Sequence, residues 1–444
     1  MRTVHGLASP WRTAARADLA PAIAAGTMLS VAIAMHIAPR GDWLYLTLAS
    51  GALFALLIAQ GWSLAEAKRP TGTVLALATF AALAIAGELW GAVPGRAIAS
   101  GGAFLGMVVL GTIACDAIAR LSDETIRRAG FGLMVGFLAG LAFLMFETLS
   151  HFALQRWFYA ALPGLVRATD KHLHLLKDQV AVIDPSNIKR HMAQATLLLW
   201  PVALLHLAFW REARGRLISA ALIAATLAAG LLARHDSSNL ALGASLIAFL
   251  AANGSYRWTW RAVTAAWLLL TLFIVPLMLL QFEARYYEQD WIQQSGRHRM
   301  VIWGYSAGEV GKAPLLGIGA GSGKVVDARR TDVKAVPGQP FEFRTADHQH
   351  NFYLQAWYEM GLAGALTLCF AGLVALYRLR RLPDGVRCYA LATFVAAMFL
   401  VSTSYGLWQE WFVASIAIAA VALTLAVRFA TPEAFDVPAA GRVQ

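Results

Sequence analysis

The chain has 444 residues, of which 58% are hydrophobic and only 14% are charged. Soluble domains are about 45–50% apolar and about 25% charged, so this composition excludes an ordinary soluble protein and predicts a polytopic membrane protein. The formal net charge of +11 favours membrane lipids and anionic substrates as partners. Nucleic acid is not expected, because the sequence contains no extended basic face.

The apolar segments predict the fold class. The first 18 residues lack the short apolar core and cleavage site of a signal peptide, so the first apolar segment is expected to remain as a membrane anchor. A spanning helix needs about 20 mostly apolar residues. Such segments lie at residues 19–38, 43–63, 71–93, 100–120, 129–150, 192–210, 216–233, 238–254, 261–281, 351–377, 387–404 and 409–428. They predict an all-α polytopic membrane protein with about 12 transmembrane helices.

The basic residues of the short loops predict the orientation. If the N-terminus is cytoplasmic, 19 arginines and lysines lie in cytoplasmic segments, and only Arg40, Arg96 and Arg234 lie in short outer loops. Cytoplasmic loops are enriched in Lys and Arg, so both termini are expected in the cytoplasm. The other 15 basic residues lie in two long outward segments, 151–190 and 282–350.

These long outer segments are where function is expected. The first is rich in leucine and valine between charged residues, which predicts amphipathic helices at the membrane interface. The second is too long for a simple connection and is expected to act as a lid or wall. The predicted organisation is an N-terminal bundle of about five spans (1–150), the outer amphipathic segment (151–191), spans six to nine (192–281), the large outer loop (282–350), spans ten to twelve (351–430) and a cytoplasmic tail (431–444).

Metal and cofactor chemistry are not expected. Cys115, Cys369 and Cys388 lie in apolar segments without a CxxC or Cys/His cluster, which argues against a zinc or iron–sulfur site. The outer acidic residues form no DxD pair of the kind that holds a divalent cation on a sugar diphosphate. Arginines would have to replace the metal in any reaction on a diphosphate.

The most informative stretch begins Asp347-His348-Gln349-His350-Asn351, directly before an apolar segment. Asn351 is expected to be the N-cap of the following helix. The positive end of that helix would favour an anion and keep His350 neutral, as a general base must be. The alternative is a histidine that only forms hydrogen bonds at the membrane interface.

Three arginines are candidates for binding an anion. Arg190, with Lys189 beside it, comes just before the predicted span at 192, and Arg297 and Arg299 lie in the large outer loop. Arginine binds phosphate bidentately and stays charged, so these residues could hold a diphosphate. Snorkelling and solvated charge are the alternatives. The glycines from Gly317 to Gly323 could also turn N–H groups onto an anion, but without a P-loop context they favour a tight turn.

Two motifs surround the candidate histidine: His350-Asn351 is followed after nine residues by Gly361-Leu-Ala-Gly364, and the Arg-x-x-x-Trp of Arg299–Trp303 is followed by Pro314-Leu-Leu-Gly. With these motifs the chain resembles the bacterial O-antigen ligases of the O-antigen ligase/polymerase superfamily. The number of spans and the large outer loop match as well. This motif is shared with O-antigen polymerases and protein O-oligosaccharyltransferases, which remain alternatives, and a lipid or sugar transporter is a more distant one.

The resemblance implies an inverting, metal-independent glycosyltransferase in the bacterial inner membrane with its active site facing the periplasm. Its donor would be a polysaccharide linked to undecaprenyl diphosphate, and its acceptor would be lipid A–core. In that family's scheme His350 would deprotonate the acceptor, Arg299 would bind diphosphate, and Arg190 would match the arginine before the next span. Arg297 competes with Arg299, Lys189 accompanies Arg190, and Asp347, His348 and Asn351 would support the site.

Overall fold

Helices dominate the computed structural model, which describes residues 10–63, 70–162, 173–176, 179–183, 188–210, 212–345 and 348–431. The helices are α1 (Pro10–Ile37), α2 (Asp42–Ala59), α3 (Gly72–Ala86), α4 (Arg96–Arg120), α5 (Asp123–Leu149), α6 (Ala153–Ala161), α7 (Lys189–Trp210), α8 (Glu212–Ala233), α9 (Asp236–Glu283), α10 (Gln294–Val310), α11 (Gly323–Ala328), α12 (Phe352–Arg380), α13 (Asp384–Thr403) and α14 (Glu410–Ala430). Strands β1 (Leu173–Leu176) and β2 (Gln179–Ile183) pair antiparallel.

Eleven helices of the described part of the chain are long and apolar enough to cross a membrane, which confirms the all-α polytopic fold class. The predicted spans 238–254 and 261–281 both fall in α9, a run of 48 residues. At about 1.5 Å per residue this run would measure about 72 Å, more than twice the hydrocarbon thickness. However, α9 is interrupted at Ser255, where φ −153° and ψ 93° are not helical. The interruption separates two lengths that each suit one crossing.

The described part of the segment 151–190 is only partly helical. Helix α6 agrees with the expected amphipathic helices, but the leucines and valines of residues 173–183, also expected to be helical, form the hairpin of β1 and β2 instead. The reason lies in the residue types of β2, where Val180, Val182 and Ile183 are β-branched and favour extended backbone. The rest of this segment is outside the described residues, apart from the residues next to α6 and α7.

The described chain divides into two compact units, and unit 1 contains Met1–Lys68, Leu110–Asn239 and Ser415–Gln444. Within it, α5 begins after the N-cap Ser122 and packs along α1. Three glycines at helical spacing, Gly132, Gly136 and Gly140, make that packing close, because a Cβ at any of them would overlap atoms of α1. Small residues allow membrane helices to approach in this way. Helix α7 is almost entirely buried and forms the centre of unit 1.

Unit 2 contains Arg69–Val109 and Leu240–Ala414 and therefore holds α10 to α13. Its helices α9 and α12 are joined by indole groups that donate to backbone carbonyl oxygens of the opposite helix. Trp267 Nε1 lies 3.0 Å from Cys369 O, and Trp357 Nε1 lies 2.8 Å from Thr271 O. Because apolar surroundings leave a polar group few partners, these hydrogen bonds define the register of the two helices.

Helix α12 is broken at Gly361, the first glycine of the family motif, where φ is 62° and ψ −157°. A Cβ here would overlap the backbone of Leu315. Two N–H groups after the break donate to the incoming loop, Leu362 to Pro314 O at 2.9 Å and Ala363 to Leu315 O at 3.1 Å. The break therefore lets the Pro314-Leu-Leu-Gly segment pack against α12, so the two parts of the motif are in direct contact.

Candidate functional site

His350 immediately precedes Asn351, the N-cap of α12, and adopts the left-handed conformation, with φ 55°. This conformation costs a non-glycine residue about 1–3 kcal/mol and persists only where neighbouring contacts enforce it. The imidazole Nδ1 lies 2.6 Å from the carbonyl oxygen of Ser404, in the loop between α13 and α14. Because a carbonyl oxygen only accepts, Nδ1 carries the hydrogen and Nε2 of the neutral ring is left as an acceptor.

The surroundings of His350 disfavour its protonation. Burial, followed by the neighbouring His348, lowers the pKa of His350 from the ordinary 6.5 to about 3, although the hydrogen bond to Ser404 opposes the change. Arg299 and His298 lower this pKa further. The imidazole is therefore neutral at physiological pH, and burial is the largest cause of its lowered pKa.

Residues Ser404–Gln409, here called the histidine loop, contact His348 as well as His350. The two imidazole rings lie 4.0 Å apart between centroids, and Nε2 of His348 is 3.4 Å from Nε2 of Gln409. A Cβ on Gly406 would lie 2.9 Å from Cβ of His348, so the glycine lets the loop approach closely. His348 thus fills the space between the histidine loop and the candidate base.

The residues around the histidines anchor them to two helices. The side chain of Asn351 accepts the N–H of Leu354 at 3.0 Å, so the expected N-cap is present. The carbonyl oxygen of Gln349 accepts the indole N–H of Trp303 at 2.8 Å, which attaches α10 to the segment before α12. This contact gives the tryptophan of the Arg-x-x-x-Trp motif a role in placing His350. Asp347 lies outside the described residues.

Arg297 and Arg299 point to different partners because residues two apart lie on different faces of a helix. Arg299 is close enough to His350 to lower its pKa, and after burial it is also a cause of the lowered pKa of His298. Arg297 instead pairs with the exposed Asp290 at 3.3 Å. Of the two competing arginines, Arg299 is the one associated with the candidate base.

Lys189 and Arg190 belong to unit 1, where they form the first turn of α7 and are half-buried. No acidic residue accompanies them in that turn. Cations at a helix N-terminus are unfavourable for the helix itself, since the helix dipole is positive there. Their position concentrates positive potential and suits an anion, and a direct role in binding remains a prediction.

Glu359 is a site residue that the sequence reading missed. It is 2% exposed and lies in α12, two residues before Gly361. Its carboxylate accepts the N–H of Gly321 at 2.6 Å, the N–H of Gly323 at 3.2 Å and the indole N–H of Trp408. One signal was available in the sequence: Glu359 is the only acidic residue of the apolar segment 351–377. A carboxylate in such a segment is expensive unless it is paired, and it usually has a specific role.

The glycine run therefore does turn its N–H groups onto an anion, but that anion is the chain's own Glu359. Gly317, Gly319 and Gly321 all have positive φ, between 65° and 92°, which glycine adopts without strain. The N–H of Gly319 also donates to the carbonyl oxygen of Glu359 at 2.9 Å. The run is thus a tight turn, as the sequence favoured, and its amides are already occupied.

A cavity of about 570 Å³ opens beside α10 in unit 2. Its lining includes His298, Phe341 and the charged residues Lys324, Asp327, Glu342 and Arg344. Arg344 lies 3.1 Å from Asp327 and 3.0 Å from Glu342, so much of this charge is paired internally. Such a wall offers donors, acceptors and the stacked rings of His298 and Phe341 without a strong net charge.

Comparison with known proteins gives a family match that covers this region and several partial matches to individual proteins. Residues 219–369 match the family described as O-Antigen ligase, a range that includes Arg299, His350 and Gly361. A candidate polysaccharide ligase of Rickettsia conorii is 25% identical over 145 residues, covering 32% of this chain and 35% of the relative. One from Rickettsia bellii is 34% identical over 128 residues, covering 27% and 30%. The alignments thus span about a third of these relatives. They support the resemblance found in the sequence, that of a member of the O-antigen ligase superfamily.

Proposed function

We propose that this chain is a glycosyltransferase that moves O-antigen polysaccharide from undecaprenyl diphosphate to lipid A–core, with inversion and without a metal. The observation that carries the proposal is the state of His350, whose Nδ1 donates to the carbonyl oxygen of Ser404 and whose Nε2 is an unprotonated acceptor. His350 and Arg299 both lie within the region that matches the O-antigen ligase family. By the same proposal the protein lies in the bacterial inner membrane and the reaction occurs at the periplasmic face.

In the proposed reaction, Nε2 of His350 accepts the proton of an acceptor hydroxyl. The hydroxyl oxygen forms the new bond to the anomeric carbon of the donor sugar, and the bond from that carbon to the diphosphate oxygen breaks. Undecaprenyl diphosphate leaves with the bonding electrons. A neutral imidazole in a partly dry site is suited to the first step, because it can accept a proton without first losing one.

Charge that develops on the leaving diphosphate needs fixed cations. Arg299 is the proposed ligand of the diphosphate, and the resemblance to the O-antigen ligases adds Arg190 with Lys189 as further proposed ligands. Arginines placed in advance stabilise a leaving anion without reorganisation. Diphosphate bound at Arg299 would also offset the positive charge that depresses the pKa of His350, so that the base becomes stronger when the donor is present.

The cavity beside His298 is the proposed binding site for one sugar of the polysaccharide. Paired carboxylates and guanidinium groups present alternating acceptors and donors to hydroxyls, and an aromatic wall suits the apolar face of a sugar ring. Its volume falls within the usual range of ligand pockets, about 300–1,000 Å³.

The test is reconstitution of the purified full-length chain with lipid-linked polysaccharide and lipid A–core, in the presence and absence of a chelator. Polymer attached to lipid A–core with the chelator present, and lost in His350→Ala, is the expected result. If His350→Ala still transfers polymer, His350 is not the base. If the chelator stops transfer, the reaction is not metal-independent.

A deletion strain separates the ligase from its relatives. Accumulation of free lipid-linked polymer with bare lipid A–core supports the ligase. Single repeats still attached to lipid A–core would instead indicate a polymerase, and loss of glycan from a protein would indicate an oligosaccharyltransferase.

A further inference from the structure

We propose that Glu359 is a positioning residue for His350, acting through the histidine loop. The inference rests on the proposed role of His350 as the base. Glu359 is not a catalytic residue in this scheme, because it does not touch the reacting atoms. Its hydrogen bonds hold the loop whose backbone orients the imidazole.

The first step of the argument is the number of chain segments that meet at one carboxylate. Oε2 of Glu359 accepts from Gly321 N and from Trp408 Nε1, and Oε1 accepts from Gly323 N and from Gln355 Nε2 at 3.2 Å. The carboxylate thus joins α12, the glycine turn and the histidine loop. Hydrogen bonds to an ionised acceptor are stronger than those between neutral groups.

The second step is the continuation from Glu359 into the histidine loop. Gln355 donates to Glu359 with its amide nitrogen and accepts the N–H of Leu407 with its amide oxygen at 2.8 Å. Leu407 and Trp408 are therefore both held from the α12 side, one directly and one through Gln355. The indole of Trp408 also stacks against Phe80, at 6.1 Å between centroids, which limits its movement.

The third step is the contact of the histidine loop with His350, which is made at the Ser404 end of the loop. Ser404 accepts the hydrogen of Nδ1, which selects the tautomer of His350 with a free Nε2. Gly406 packs on His348, and His348 in turn packs on His350. His350 also has a strained left-handed backbone, so its orientation depends on such outside contacts. Release of the histidine loop would let the imidazole rotate, exchange tautomers and reach water.

The test compares Glu359→Gln with wild type in the reconstituted full-length enzyme. Glutamine keeps the side-chain shape but places an amide N–H₂ among the donors that surround the carboxylate. The expected result is a kcat about 10- to 100-fold lower, because small misplacements of a reacting group have effects of this size. KM for both substrates should change by less than about threefold, since the substrate-binding residues are untouched.

Two further measurements respond to the position of the imidazole and not to general stability. Labelling with diethyl pyrocarbonate, read by peptide mass spectrometry, should increase several-fold at His350 in Glu359→Gln. The acid limb of the pH profile of kcat/KM should move from about 3 towards 6.5, because burial is the largest cause of the lowered pKa. Gln355→Leu and Trp408→Phe, which each remove one connection, should give smaller changes in the same direction.

The matched control is Glu309→Gln in α10, whose carboxylate pairs with Lys312 at 2.8 Å and with Arg330 at 3.6 Å. It should leave kcat, labelling and pH profile unchanged. The positioning role is overturned if Glu359→Gln matches this control, or if its kcat falls without any change in labelling or pH profile. If Glu359→Gln does not fold, Gln355→Leu and Trp408→Phe test the positioning role through the same measurements of kcat, labelling and pH profile. Activity retained in His350→Ala would instead overturn the proposed base, a separate failure.

Discussion

Asp42 in unit 1 and Glu359 in unit 2 are both buried carboxylates, but they are held by different kinds of partner. Oδ2 of Asp42 accepts from side chains of two other helices, Gln194 at 2.6 Å and Ser415 at 2.5 Å. Glu359 accepts from the backbone of a glycine turn and from the indole of a loop. One carboxylate therefore joins helices of a scaffold, whereas the other joins a turn and a loop next to the candidate base.

The comparison shows that burial alone does not identify a functional carboxylate. What distinguishes Glu359 is the connection of its partners to His350 through the histidine loop. A substitution of Glu359 should therefore change the reaction itself, whereas the equivalent substitution of Asp42 should change only the stability of the protein.

His350→Ala should produce the largest change. Removal of a general base lowers rates by about 10²–10⁴-fold, so we expect kcat to fall about 10³-fold while binding of the lipid-linked donor is retained. Single-turnover transfer together with a donor-binding assay measures both quantities. His348→Ala, which removes packing but not the base, should have a clearly smaller effect, and the reverse order would assign the base to His348.

Arg299→Ala should be next, with kcat/KM about 10²-fold lower, the size seen when one group that stabilises a developing anion is removed. Arg299→Lys should recover part of this loss because it keeps the charge but not the bidentate geometry. Arg297→Ala should cost much less, since an exposed ion pair such as that with Asp290 contributes only about 0–1 kcal/mol. A larger effect at Arg297 than at Arg299 would reverse this assignment.

Gly361→Ala should destabilise the protein by about 2–3 kcal/mol, since alanine does not readily adopt the positive φ and its Cβ would overlap Leu315. The control is Gly51→Ala in α2, where a Cβ would meet nothing within 4 Å. That change should be neutral or stabilising by up to about 1 kcal/mol. Thermal unfolding in detergent measures both, and equal midpoints would show that the break in α12 carries no constraint.

The architecture was readable from the sequence where a local rule decides it. Long apolar runs indicate spans, and an asparagine before such a run indicates an N-cap, so the helical class and the role of Asn351 were both predictable. The break in α9 explains why the number of helices differs from the number of predicted segments. The hairpin of β1 and β2 was missed because mixed apolar and charged residues suit an amphipathic helix as well.

The candidate site was less predictable because its contacts join residues that are distant in the sequence. Ser404, which orients His350, follows it by 54 positions and offers only a backbone carbonyl, so no residue type marks it. Glu359 could have been noticed as an acid in an apolar run, but its partners in the glycine turn precede it by 36 and 38 positions. Such partners are determined by packing rather than by local pattern.

Asp42→Asn is the same chemical change as Glu359→Gln, applied to the scaffold carboxylate. Asparagine can still accept from Ser415 and Gln194, so unfolding should become easier by only about 1 kcal/mol, the value of a typical hydrogen bond. Neither kcat nor the labelling of His350 should change. A loss of kcat comparable with that of Glu359→Gln would remove the distinction between the two carboxylates.

The smallest expected effect is that of pH on the wild-type enzyme. kcat/KM reports groups of the free enzyme, and burial lowers the pKa of His350 to about 3 there, so the base is neutral throughout the range from pH 5 to pH 8. Over that range kcat/KM should change by less than about twofold from this residue, whereas a base with the ordinary pKa of 6.5 would lose about 30-fold. The acid limb of kcat should lie at a higher pH than the acid limb of kcat/KM, because bound diphosphate raises the pKa of the base. Coincident limbs near 6.5 would mean that the histidine loop does not enclose His350 in solution.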